Sequence, residues 1–166
     1  ILHIHRSPER ERLLAFTHDY IEMPRVIFTR NNSPFVGHVN DLLGKKISIE
    51  KGYLIQKVLA EDYPQIKQRP AETTDQALEL LSLGEVDAYI GALATASFIM
   101  QKKGYSNLKV AEPTHYGPDI AAMGVRKDWP QLGNLLNRFL KALTPDEKSF
   151  LSGKWLSIRY EHGIRF

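Results

Sequence analysis

Apolar and polar positions along this chain change period in a regular order. Ile47 and Ile49 alternate with Ser48 and Glu50, as in a half-buried strand, and Leu54, Ile55, Val58 and Leu59 then fall on one helical face. Gly52 stands at the joint, where the backbone can take dihedrals that a side chain would forbid. Residues 42–62 therefore read as a strand–turn–helix unit. The start of its helix directs unpaired N–H groups and a positive dipole end outward, an arrangement suited to an anion. An extended piece follows at 66–70, then Thr73 and Gln76 at capping-box spacing ahead of Ala77, Leu78, Leu80 and Leu81. Gly84 is placed to end that helix in a left-handed cap. Residues 86–90 read as a strand, Gly91 as a turn, 93–103 as a third helix stopped by Gly104, and 108–111 as another short strand. Strands alternating with helices at this spacing predict an α/β fold with a mostly parallel sheet covered on both faces.

The two ends of the chain read differently. Residues 1–5 alternate so that His3 and His5 leave one face of a strand, until Ser7 and Pro8 break it. A charged turn at 9–12 leads into Leu13, Leu14, Ala15 and Phe16. The stretch 20–30 is again extended around Pro24, where the chain crosses between two bodies. Beyond Pro113, residues 114–119 form a loop or second crossing, and 120–125 (IAAMGV) a buried strand. Two helices close the chain. The first carries Leu132, Leu135, Leu136, Phe139, Leu140 and Leu143, a stripe expected to be core rather than a cofactor box. The second starts at Thr144, Pro145, Asp146 and Glu147, with an N-cap, an N1 proline and an N3 glutamate, and its Phe150, Leu151 and Trp155 are expected to look inward.

Composition narrows the function classes. With 166 residues, 43% of them hydrophobic and 25% charged, the chain is long enough for one sizeable core or two small ones. The chain begins at Ile1 and holds neither a signal peptide nor an apolar run of membrane-spanning length, so it reads as an excised segment. It contains no cysteine, which excludes disulfides and thiolate metal sites. A net charge of +3 with scattered, acid-interleaved Lys and Arg gives no footprint for nucleic acid. No cofactor is implied, and two histidines without a third ligand do not make a metal site.

Several blocks in order, SPERERLLAFTHDY, LLGKKISIEKGY, LSLGEVDAYIGALATASFIM, MGVRKDWPQLGNLLNRFLKAL and KWLSIRYE, resemble the C-terminal two-thirds of a bacterial extracellular solute-binding protein of family 3. The version most similar is the Venus-flytrap sensor domain of membrane signalling proteins. The resemblance implies a type II periplasmic-binding fold, with two α/β lobes, two hinge strands, and ligand closed between the lobes. Here lobe 1 would be partial (1–21, with a return segment 120–166), the hinges would lie at 22–26 and 114–119, and lobe 2 (27–113) would be complete. The family's first strands and helices would be missing upstream. The stripe at 132–143 would then be covered by further chain of a longer or cleaved protein, or by a second copy, as in a homodimer.

Site residues follow from the same resemblance. Arg10 matches the arginine that grips the ligand's carboxylate, for which its planar fork is suited. Gly52, Tyr53 and Leu54 match the turn whose helix N–H groups meet that carboxylate. Tyr53 and Leu54 are larger than the small hydroxyl residues common there. Ala92 stands where amino-acid binders carry an acid for the α-ammonium, which makes an ordinary α-amino acid a poor ligand. His3 and His5 occupy positions beside Arg10 that face ligand in the family. Two readings of them stay open: imidazoles that favour an anion more strongly at acid pH, or packed and solvent-facing side chains. Tyr20 and Tyr116, on the two crossings, complete the candidate set.

The implied function is a periplasmic ligand-sensing domain of an inner-membrane signalling protein, taking a small anionic solute or holding a closed cleft without ligand. Closure would be passed onward through the C-terminal KWLSIRYEHGIRF. The alternative is the substrate-binding protein of an amino-acid-type ABC transporter. A LysR-type effector domain and a periplasmic dehydratase rank below it. No Ser/His/Asp set or carboxylate pair has a recognisable spacing, so the chain is expected not to be an enzyme.

Overall fold

The computed structural model describes residues 1–155 except His3, and side chains as far as Leu151. The reading of His3, the inward placement of Trp155 and the hand-on through the C-terminal segment therefore lie outside the described residues.

In chain order the elements are α1 (Pro8–Leu13), β1 (Leu14–Phe16), β2 (Ile21–Met23), β3 (Arg25–Arg30), a short 3-10 helix (Val39–Leu42), β4 (Lys46–Glu50), α2 (Leu54–Asp62), β5 (Lys67–Ala71), α3 (Thr74–Ser82), β6 (Ala88–Ala92), α4 (Leu93–Lys103), β7 (Leu108–Pro113), β8 (Asp119–Ala121), β9 (Gly124–Arg126), α5 (Pro130–Ala142) and α6 (Pro145–Trp155). They divide into two compact units. Unit 1 is Ile1–Met23 with the chain from Pro118 through α6, and unit 2 runs from Pro24 to Gly117.

Unit 2 is a five-stranded sheet in the order β5-β4-β6-β3-β7. β4 runs parallel to β5 and β6, whereas β3 is antiparallel to both β6 and β7, so four strands point one way and β3 the other. Helices follow the parallel strands because a parallel crossover needs a connection long enough to return along the sheet. Val26, Phe28 and Tyr89 meet α3 and α4 residues Leu78, Leu81, Leu93 and Ala96 on one face. Ile27, Ile47, Ile49 and Ile90 meet Leu42, Ile55 and Leu59 on the other. The half-buried reading of β4 is corrected here. Ile47, Ser48, Ile49 and Glu50 are all buried, because the strand lies between two others under helices on both faces. Ser48 is accommodated by donating its hydroxyl to the Ala77 carbonyl at 2.9 Å.

The helix ends follow the local chemistry. Thr73 Oγ1 accepts the Gln76 N–H at 3.1 Å, while the Gln76 side chain reaches past Thr73 to the Glu72 N–H at 2.7 Å. Gly84 and Gly104 take φ of +80° and +74°, as the left-handed caps require.

In unit 1, β1 pairs with β9, β2 pairs with β8, and Ile4 bridges Ala122. The single strand expected at 120–125 is two strands. Ala122 and Met123 separate them, and Met123 N donates to Thr17 Oγ1 at 3.0 Å between the two pairings. The α5 stripe is also corrected. Leu140 is buried, but Leu135 and Phe139 are 62% and 58% exposed, and Phe150 and Leu151 on α6 are exposed as well. The sheet that α5 packs against, β1 with β9, has two short strands and covers only part of a six-residue stripe.

Candidate functional site

The candidate residues fall in both units. In unit 1, Ser7 caps α1, its hydroxyl oxygen accepting the Arg10 backbone N–H at 3.3 Å. The Arg10 guanidinium Nη1 donates to the His5 carbonyl at 2.9 Å, so Arg10 and His5 are brought together through the backbone. The His5 ring faces β8. Nδ1 is 2.8 Å from the Ile120 carbonyl, and Nε2 is 3.5 Å from the Asp119 carboxylate. Tyr20 donates its hydroxyl to the Leu2 carbonyl at 2.6 Å, and burial pushes its pKa up. A neighbouring cation, Arg6, is spent on structure: it pairs with Asp19 at 3.1 Å, donates to the Thr17 carbonyl and lies over the Phe16 ring.

In unit 2, the turn after β4 takes the shape its glycine permits, with Gly52 at φ +77°. The Gly52 N–H donates to Gln56 Oε1 at 2.9 Å, while Tyr53, the N-cap of α2, gives no side-chain cap bond. Tyr53 and Leu54 are exposed. Ala92 ends β6 and is the N-cap of α4, whose Leu93 N–H donates to the Pro24 carbonyl at 2.9 Å. In the parallel register Ser48 stands opposite Tyr89. The Gly52 turn and Ala92 therefore share the carboxyl end of adjacent strands, the end where open α/β sheets bind ligands.

Tyr116 is not brought to that turn. Its hydroxyl donates to Asp62 at 2.9 Å, at the far end of α2, and its ring packs on His115 and the core beneath the helix. Burial first, and the Asp62 carboxylate second, push its pKa well up.

Sequence reasoning missed a group beside the turn. Glu50, the last residue of β4, is 8% exposed, and its Oε1 accepts both the Tyr89 hydroxyl at 2.6 Å and the Thr74 hydroxyl at 2.8 Å. Tyr89 stacks on Phe28 with ring centroids 5.4 Å apart, and its pKa lies well above the usual range, through burial and then the Glu50 charge. The only sequence signal was a carboxylate closing an apolar strand. Among the described residues no group of three or more His, Asp or Glu side chains could hold a metal ion.

The family model for bacterial extracellular solute-binding proteins, family 3, matches residues 1–158. The virulence sensor protein BvgS of Bordetella pertussis is 28% identical over 116 residues, which cover 70% of this chain and 9% of BvgS. The ABC transporter arginine-binding protein 1 of Escherichia coli is 27% identical over 143 residues, 84% of this chain and 58% of that protein. Among solved structures, the periplasmic VFT2 domain of Bordetella pertussis BvgS superposes with a TM-score of 0.80 at 22% identity, over 92% of this chain and 65% of that one. A histidine kinase sensor domain with similarity to periplasmic binding proteins gives 0.78 at 24%, over 93% and 68%. The chain thus spans a small part of BvgS and about two thirds of each solved domain.

Proposed function

The chain belongs to the bacterial extracellular solute-binding proteins, family 3, and from that premise we propose that it is the ligand-sensing part of a membrane-tethered signalling protein, holding a small solute through an anionic group such as a carboxylate. The family is one of extracytoplasmic binding proteins, not enzymes, and the fold is periplasmic-binding-protein-like. The carrying observation is the shared position of the Gly52 turn and Ala92 at the carboxyl end of β4 and β6.

In this reading the start of α2 and the Arg10 fork receive the anionic group. His3, His5, Tyr20, Tyr53, Leu54 and Tyr116 complete the set, Tyr116 by anchoring its crossing to α2. The chain segments around residues 22–26 and 114–119 serve as hinges between a partial lobe (1–21 and 120–166) and a complete one (27–113). Bound solute shifts the open–closed equilibrium by its differential affinity. A sensor is favoured by the similarity to BvgS and to the histidine kinase sensor domain. Transport is the second reading, favoured by similarity to the arginine-binding protein. The exposed face of α5 is the place where a second copy would dock in a homodimer.

Calorimetric titration of the full-length protein with organic acids and amino acids tests the binding role. Arg10→Ala is expected to weaken the best-binding carboxylate at least ten-fold while thermal unfolding is unchanged. Undiminished binding in that variant, or no binding of any carboxylate by the parent, overturns the proposal.

A further inference from the structure

The chain at Ile4 and His5 lies against β8 and the residues just after it, and the His5 ring is its fastening. Ile4 and Ala122 exchange both backbone hydrogen bonds at 3.1 Å. One residue on, the His5 ring turns back along β8. Ile120 offers Nδ1 a carbonyl oxygen at 2.8 Å, and a carbonyl can only accept, so Nδ1 carries a hydrogen. Nε2 faces the Asp119 carboxylate at 3.5 Å, and with the two side chains 31% and 11% exposed, water screens the pair only in part. Both ring nitrogens thus face acceptors. Only the imidazolium has a hydrogen for each; in a neutral ring that donates to Ile120, the Nε2 lone pair points toward a carboxylate.

The backbone of the same residue holds Arg10, whose Nη1 donates to the His5 carbonyl oxygen at 2.9 Å. Other charged and titratable groups stand around this segment. Arg6 is drawn to Asp19, Tyr20 donates to the Leu2 carbonyl, Glu22 lies opposite Ile120 in the β2–β8 register, and Glu9 precedes Arg10 on α1.

We propose that His5 is a positioning residue for Arg10: its protonated ring, fastened to β8, fixes the carbonyl that in turn fixes the guanidinium. This rests on the binding role proposed above, in which Arg10 receives the solute's carboxylate, and deepens it by making that role depend on pH. His5 acts through its main chain, without touching solute. As pH rises through the histidine range, about 5 to 8, the ring gives up the hydrogen on one nitrogen and its hold on β8 weakens. Arg10 then gains freedom that solute binding has to remove, so affinity is tightest on the acid side.

The test is calorimetric titration of the full-length protein from about pH 5.5 to about pH 8, with L-arginine, L-glutamate and lactate as probes, whose carboxylates stay ionised over that range. The expected result is that the tightest-binding probe loses three-fold or more in affinity from the acid end to the alkaline end. In Asp119→Asn, and in His5→Gln, which keeps a donor for Ile120 without the charge, affinity should stay at the parent's alkaline level throughout. A parent whose affinity is flat or rises with pH overturns the assignment, whether or not either variant folds. So does a pH dependence that survives Asp119→Asn but not His5→Gln, the pattern of a ring that meets the solute directly, and so does one that survives both. These outcomes leave the carboxylate-binding role standing. Binding of no probe at any pH overturns that role and the His5 assignment together.

Discussion

Tyr89 lies along its own strand instead of standing straight out from it. A Cβ added at Gly91 would sit 1.8 Å from the Tyr89 hydroxyl oxygen and 2.2 Å from the ring carbon that carries it. The ring cannot swing aside cheaply, because it is stacked on Phe28 and fully buried. Gly91→Ala is therefore expected to destabilise the protein by about 1–3 kcal/mol, the range for overpacking a core. Urea unfolding measures it, and the cost should nearly vanish when Tyr89→Val is already present, a non-additivity that marks direct contact. The glycine that reads from sequence as a plain strand-to-helix turn is thus a clearance for a side chain two residues away. Gly52 was more transparent, since a glycine between a strand period and a helix period announces its own φ. Glu50 was hidden because a two-residue alternation assigns it to solvent, and only the lateral order of strands shows otherwise. The partner of the Tyr116 hydroxyl was hidden as well, because Asp62 is 54 positions away in sequence.

At the scale of elements, propensity and capping chemistry were readable wherever they act locally. The short helix Val39–Leu42 shows how local that can be: Asp41 Oδ2 accepts the Gly37 and His38 N–H groups at 2.9 and 3.0 Å. These two bonds hold the Asp41 carboxyl below its usual value of 3.8. A carboxyl depressed in the folded state adds stability that is complete above its unfolded pKa and lost as pH falls through the lower folded one. The stability difference between the parent and Asp41→Asn should accordingly be constant above a pH of about 4 and shrink below it. Urea midpoints from pH 6 to 2 check this, and a difference that persists unchanged at pH 2 contradicts it. What could not be read was the partner of each element. The α5 stripe has the spacing of a core helix, yet spacing does not say how much surface faces it, and here two short strands leave Leu135 and Phe139 in solvent. The division of residues 120–125 has the same origin, because each half answers to a different partner strand.

For the whole molecule the two units differ in how they are held. Among the described residues, the two hydrophobic core clusters lie between Val26 and Tyr116, within unit 2. Residues 24–117 expressed alone are expected to fold cooperatively, with a single urea transition by circular dichroism; a chain that stays unfolded or melts without a transition would contradict this. The reversed strand β3 explains how so self-sufficient a body sits in the middle of the sequence. Its first residues pair with the last of β7, and the Thr114 N–H donates to the Arg25 carbonyl at 2.9 Å. Entry and exit are therefore neighbours on one border of the sheet. A body whose two ends meet can be lifted out, transplanted into a host loop or re-cut with new termini without severing its interior, so this segment is a natural cassette for building chimeric receptors.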